Sequence, residues 1–214
     1  MPFSPIEVLA ADMKAAFTVK TLPPISGRPN LYELLCVLKF ICRNSQTTKS
    51  CLGPLGYLFV ALPLEHYVRF TTTPLVIPGS TPSLPNFLPG MNAGQREQVR
   101  LNWIAHKAEN NNIANMNEAL TSVFLEAIGT TYKKHLENDL VGRVTSNFWE
   151  IFNTFLTKYG KIKPMDLENN LIRMKKDWDP SSPIEDLFAQ INDANEYSIF
   201  AQHPYGDRDL VQAG

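Results

Sequence analysis

The rings at Phe148, Phe152, Phe155 and Tyr159 recur at steps of four, three and four, the spacing that places side chains on one face of an α-helix. Trp149 and Leu156 flank that face. Thr145 or Ser146 supplies an N-cap oxygen, and Gly160 stands where a left-handed residue closes a helix. The spacing predicts a core helix with Phe148, Trp149, Phe152, Phe155 and Tyr159 as its buried residues. The same period governs most of the chain. Asn30 followed by Glu33 opens a helix buried through Leu31, Leu34, Leu35, Leu38 and Ile41. Gln95 to Ile128 carries Met116, Leu120, Val123, Phe124 and Ala127 on one face, with a break expected around Asn110–Asn112. Leu167, Leu171, Met174 and Trp178 line a further helix, and Asp207–Gly214 begins another.

Proline and glycine punctuate these helices. Ser4-Pro5-Ile6-Glu7 and Ser182-Pro183-Ile184-Glu185 read as capping boxes with proline in the first turn. Pro63 separates two short helical turns, "YLFVAL" and "LEHYVRF". Strand signals are sparse, the nearest being Phe17–Leu22 and Pro74–Gly79. Between Thr71 and Gly94 fall Pro74, Pro78, Pro82, Pro85 and Pro89 among apolar residues, which predicts a long loop lying on a domain surface. The fold class is therefore all-α.

Composition narrows the function. At 44% hydrophobic and 19% charged residues over 214 positions, the chain has material for a core. A formal net charge of −1 gives no general attraction to polyanions. Cys36, Cys42 and Cys51 are odd in number and share no ligand spacing with His66, His106, His135 or His203, so reduced thiols are expected. No basic-then-apolar leader opens the sequence. The longest apolar run, Leu55–Leu64, is about half of what a membrane-spanning helix needs. The expectation is a soluble cytoplasmic protein with no membrane contact.

Catalytic motifs are missing: there is no nucleophile elbow, P-loop or dinucleotide fingerprint. Glu137 and Asp139, beside Lys133, Lys134 and Arg143, read as a solvated turn. The sequence therefore predicts no enzyme, no cofactor, no metal and no small-molecule substrate. Lys158, Lys161, Lys163, Arg173, Lys175 and Lys176 gather around the junction after the aromatic helix and form the candidate RNA or anion contact.

Five blocks in order carry a resemblance: "NEALTSVFLEAIG", "FWEIFNTFLTKYG", "MDLENNLIRMKKDW", "SPIEDLFAQINDANEYSIFA" and "HPYGDRDLVQAG", with "LPPISGRPNLYELLCVLKFI" and "GPLGYLFVALPLEHY" upstream. Together they resemble the capsid region of copia-type retrotransposon Gag polyproteins, as in elements of diatoms and oomycetes. The resemblance implies a leader (1–21), a capsid-like N-terminal lobe (22–160, with the proline-rich loop at 71–94) and an incomplete C-terminal lobe (161–214), hinged at Gly160–Pro164. It implies a structural protein that self-assembles into a particle around element RNA. Self-association would use the Ser182–Ala201 helix through Ile184, Leu187, Phe188 and Ile191, and Met174 and Trp178 would be exposed with them unless they fold back onto the N-terminal lobe or meet a second chain. The family's zinc knuckle and protease motif are absent here; both lie downstream in such polyproteins. A different reading is a helical RNA- or protein-binding adaptor, a host-retained relative that makes no particle.

Overall fold

The computed structural model describes residues 7–17, 24, 25, 27, 30–81, 83–136 and 147–211. Its elements are α1 (Ala10–Ala15), α2 (Leu31–Thr47), α3 (Leu58–Ala61), α4 (Leu64–Tyr67), α5 (Ala93–Ala127), α6 (Thr130–Lys133), α7 (Phe148–Tyr159), α8 (Pro164–Met174), α9 (Ile184–Phe200) and α10 (Asp207–Val211). The fold is all-α. Among the described residues the β content is one isolated parallel bridge, Ile25 to Ile128. Pro74–Gly79 has no regular structure, because an apolar strand pattern has nothing to pair with in a helical protein. The strand expected at Phe17–Leu22 lies outside the described residues beyond Phe17. So do Thr145, Ser146 and most of the capping box at Ser4–Glu7.

Local capping chemistry sets several boundaries. Asn30 and Glu33 bond reciprocally at the start of α2: the Asn30 N–H donates to Glu33 Oε2 at 3.1 Å and the Glu33 N–H to Asn30 Oδ1 at 2.9 Å. Asn92 and Gln95 do the same for α5, at 2.9 Å in each direction. For α7 the N-cap is Asn147, whose Oδ1 accepts from the Glu150 N–H at 3.0 Å. The box expected at Ser182 does not form. Ser182 Oγ donates to the Asp179 carbonyl at 2.8 Å and Pro183 takes the N-cap position of α9.

Packing divides the chain into two units, Met1–Gly27 with Cys36–Thr154, and Arg28–Leu35 with Phe155–Gly214. These limits differ from the expected 1–21, 22–160 and 161–214. Residues 7–17 are part of the first unit because α1 lies along α5 with Met13 and Phe17 buried. Ile162, in the expected hinge, packs instead into the core of the second unit.

In the first unit α5 is the spine. It runs unbroken through Asn110–Asn112, where a break was expected, because those side chains are used sideways. Asn112 Oδ1 accepts from the Val8 N–H at 2.7 Å, and Asn115 Nδ2 donates to the Val8 carbonyl at 2.9 Å. Asn110 Nδ2 donates to the Gly79 carbonyl at 3.0 Å and to Thr81 Oγ1 at 2.5 Å. Polar contacts at these positions satisfy loop backbone that helix propensity does not see. Met116, Leu120 and Phe124 are fully buried, and Phe124 meets Phe148 and Phe152 edge-on at centroid distances of 6.0 and 5.5 Å. Phe148, Ile151, Phe152 and Phe155 are the buried residues of α7. Trp149 and Tyr159 are half-buried, contrary to expectation. The buried arc of α7 is turned toward Ile151, on the side away from Trp149, and Tyr159 ends the helix.

The second unit is built on Leu31, Tyr197 and Ala201, with Tyr32, Leu35, Leu156, Ile162 and Leu167 packed around them. Gly160 has no left-handed φ, unlike Gly27, Gly56 and Gly90. It is needed for a close approach: a Cβ there would stand 2.6 Å from the Leu156 carbonyl oxygen.

Candidate assembly face and basic junction

In the second unit α8 and α9 form an antiparallel pair tied by side-chain amides. Asn170, 5% exposed, donates through Nδ2 to the Ala194 carbonyl at 2.9 Å and to the Tyr205 hydroxyl at 2.7 Å. Gln190 Nε2 donates to the Met174 carbonyl at 3.2 Å and the Lys176 carbonyl at 2.8 Å, satisfying groups that the end of α8 would leave open. Met174 is fully buried where α8 packs on α9, which corrects the expectation that it is exposed. Trp178 lies beyond α8, half-buried, with Nε1 donating to the Pro183 carbonyl at 3.2 Å.

These ties fix which face of α9 looks outward. Leu187, Ala194 and Tyr197 point into the core, so Leu187 leaves the expected self-association set. Ile184 is 44% exposed, Phe188 58% and Ile199 57%, with Ile191 half-buried between them. Positions 184, 188 and 191 follow helical spacing and form a short apolar stripe on α9, from which Asn195 separates Ile199 two turns further on. Met165 and Ile172, seven residues apart on α8, are also exposed, at 61% and 64%.

The six basic residues do not form one patch. Lys158, Lys161 and Lys163 precede α8, and Arg173, Lys175 and Lys176 lie at its other end. Eleven residues of helix between them span about 16 Å. The five lysines are exposed. Arg173 is half-buried and already employed: its guanidinium lies 3.8 Å from the centre of the Tyr32 ring and Nη2 donates to Asn170 Oδ1 at 2.7 Å. It braces the second unit rather than offering a free cation. The exposed cations are thus two small lysine groups, one at each end of α8.

The first unit holds a buried carboxylate that sequence reasoning missed. Glu109, 2% exposed, accepts from Ser50 Oγ at 2.6 Å and from the Tyr57 hydroxyl at 3.4 Å. Burial first, and then the Glu109 charge, push the Tyr57 hydroxyl above its ordinary range. The same two causes in the same order push the Cys51 thiol up to about 11. Cys51 is exposed yet a poor nucleophile, because its raised pKa keeps the thiol protonated near neutral pH. Glu109→Gln removes the repelling charge and is expected to raise the iodoacetamide alkylation rate of Cys51 severalfold, read by peptide mass spectrometry. An unchanged rate would show that burial alone governs this thiol. Cys42, pushed up to about 12 by burial, should stay unreacted in both proteins. The sequence signal for this node was the spacing of Glu109 itself, seven residues before Met116 and eleven before Leu120, which sets a carboxylate on the buried face of α5.

Among the described residues no group of acidic, histidine or cysteine side chains is arranged to hold a metal, and no helix is long and apolar enough to cross a membrane. No family model, curated protein or solved structure matches this chain.

Proposed function

We propose that the chain is a non-catalytic structural protein of the capsid-like kind, in which copies associate through α9 and the exposed lysines hold RNA. The observation that carries this reading is the outer stripe of α9. A 17-residue helix whose adjoining side is locked into a core presents Ile184, Phe188 and Ile199 to solvent. An apolar stripe of this kind on a rigid helix is the usual form of a self-complementary contact, in which the same patch serves both partners. The order of sequence blocks that resembles copia-type Gag supports the same reading. So does the location of the exposed lysines beside that helix pair, where assembled copies would gather positive charge.

The test is a concentration series of the full chain by sedimentation velocity and light scattering, with and without single-stranded RNA. The mean mass should rise with concentration and rise further with RNA, and the RNA effect should fade with added salt. A single monomeric species at every concentration, with RNA bound one chain at a time, would instead identify the adaptor reading.

A further inference from the structure

A cleft of about 480 Å³ opens in the first unit between the α3–α4 turn, the middle of α5 and the start of α7. Leu62, Ile113 and Trp149 form its apolar walls, and Leu75 and Ile77 of the proline-rich loop form one side. That volume is in the range of ligand pockets, and it is largely preformed because Asn110 fastens the loop at Gly79 and Thr81.

Three features define what would fill it. First, side chains of the loop alternate between the cleft and solvent. Leu75 and Ile77 line the cleft whereas Val76 between them does not and is 73% exposed, the alternation of a strand. Second, Leu75, Val76 and Ile77 make no backbone hydrogen bond among the described residues, so this short run between Pro74 and Pro78 offers free donors and acceptors. Third, the Glu150 carboxylate stands on the lining with no ion pair among the described residues, beside Asn117 and Asn147, whose side-chain oxygens are used but whose amide donors are free. An apolar slot bordered by unpaired backbone and a lone carboxylate selects for backbone, apolar and cationic groups together.

From this arrangement we infer that the cleft binds an extended segment of a partner protein. The segment pairs with the Leu75–Ile77 backbone as an added strand, places alternate branched or aromatic side chains against Ile113 and Trp149, and sets a lysine or arginine on Glu150. This site lies in the first unit and does not depend on association through α9. The strand signal in "PLVIPG" is then the signature of a strand completed by another chain.

The test begins with selection of random displayed heptapeptides on the full chain, followed by titration of a synthesised enriched peptide by fluorescence anisotropy. Enriched sequences should alternate apolar and polar residues and carry one basic residue. Affinity should fall about tenfold or more on Glu150→Lys, and about as far on Glu150→Gln, which keeps the size of the side chain and guards against misfolding. N-methylation of alternate backbone nitrogens in the peptide should weaken binding at least as much, because it deletes donors while leaving the side chains. Phe188→Glu should leave peptide binding unaltered. Selection that enriches nothing, or a peptide that tolerates both N-methylation and the Glu150 variants, overturns the proposal.

Discussion

Phe152→Ala should destabilise the first unit by about 3–5 kcal/mol, the cost of truncating a buried ring and leaving a cavity behind. Phe152 is fully buried and touches three other rings, Phe124, Phe148 and Trp149, at centroid distances of 5.5, 6.0 and 5.8 Å. The collapse that would fill the cavity is restricted, because Phe148 is held from behind by the Asn117 Oδ1 that accepts from its N–H at 2.7 Å. A loss of this size is a large share of the stability of a typical domain and should lower the melting temperature by roughly 10 °C or more. Trp149→Phe is the informative control. Trp149 is half-buried at the cleft, so its replacement should cost about 1 kcal/mol. Thermal and urea denaturation of both variants check the pair. Equal effects would mean that the burial of the two rings has been assigned wrongly.

The second large effect is on association. Phe188→Glu places a charge at the centre of the outer stripe of α9. At 58% exposure the side chain contributes little to the core, so helical content and unfolding midpoint should shift by no more than about 0.5 kcal/mol equivalent. In an assembled contact the new carboxylate would be desolvated without a partner, beside the existing Glu185 and Asp186 charges of the first turn of α9. Leaving such a charge unpaired costs about 2–5 kcal/mol, so self-association should weaken by roughly a hundredfold or more. Sedimentation velocity with circular dichroism on the same samples separates lost association from lost fold. Retention of the wild-type mass distribution would remove α9 from the interface. Leu187→Glu should behave differently, since Leu187 is buried: it should lower stability first and association only as a consequence.

Much of this molecule is readable from spacing alone. The buried faces of α2 and α5 follow the 3.6-residue period, and Asn30–Glu33 caps its helix as its residue types dictate, since both are local properties of the chain. Asn147 obeys the same rule, being an asparagine three residues before Glu150 whose Oδ1 accepts from the Glu150 N–H. Other features depend on partners far away in sequence, which periodicity does not encode. The asparagines Asn110 and Asn112 looked like a helix break because their propensity is poor, and only the presence of the Val8 and Gly79 backbones makes them favourable. Arg173 looked like a free cation until the Tyr32 ring, some 140 positions earlier, was placed beneath it. Met174 reads as exposed when α8 is taken alone, and the packing of α9 against α8 buries it.

The sequence by itself determined the all-α class, the capping residues that start α2 and the apolar periodicity of α5 and α9, because each follows from residues within a few turns of one another. Tertiary structure alone decided which way each amphipathic helix was turned, which polar groups were consumed internally and which apolar side chains were left over. Those outcomes depend on which backbones and rings arrive from elsewhere in the chain. They separate Leu187 from Phe188, neighbours of the same character, into a core residue and a surface one.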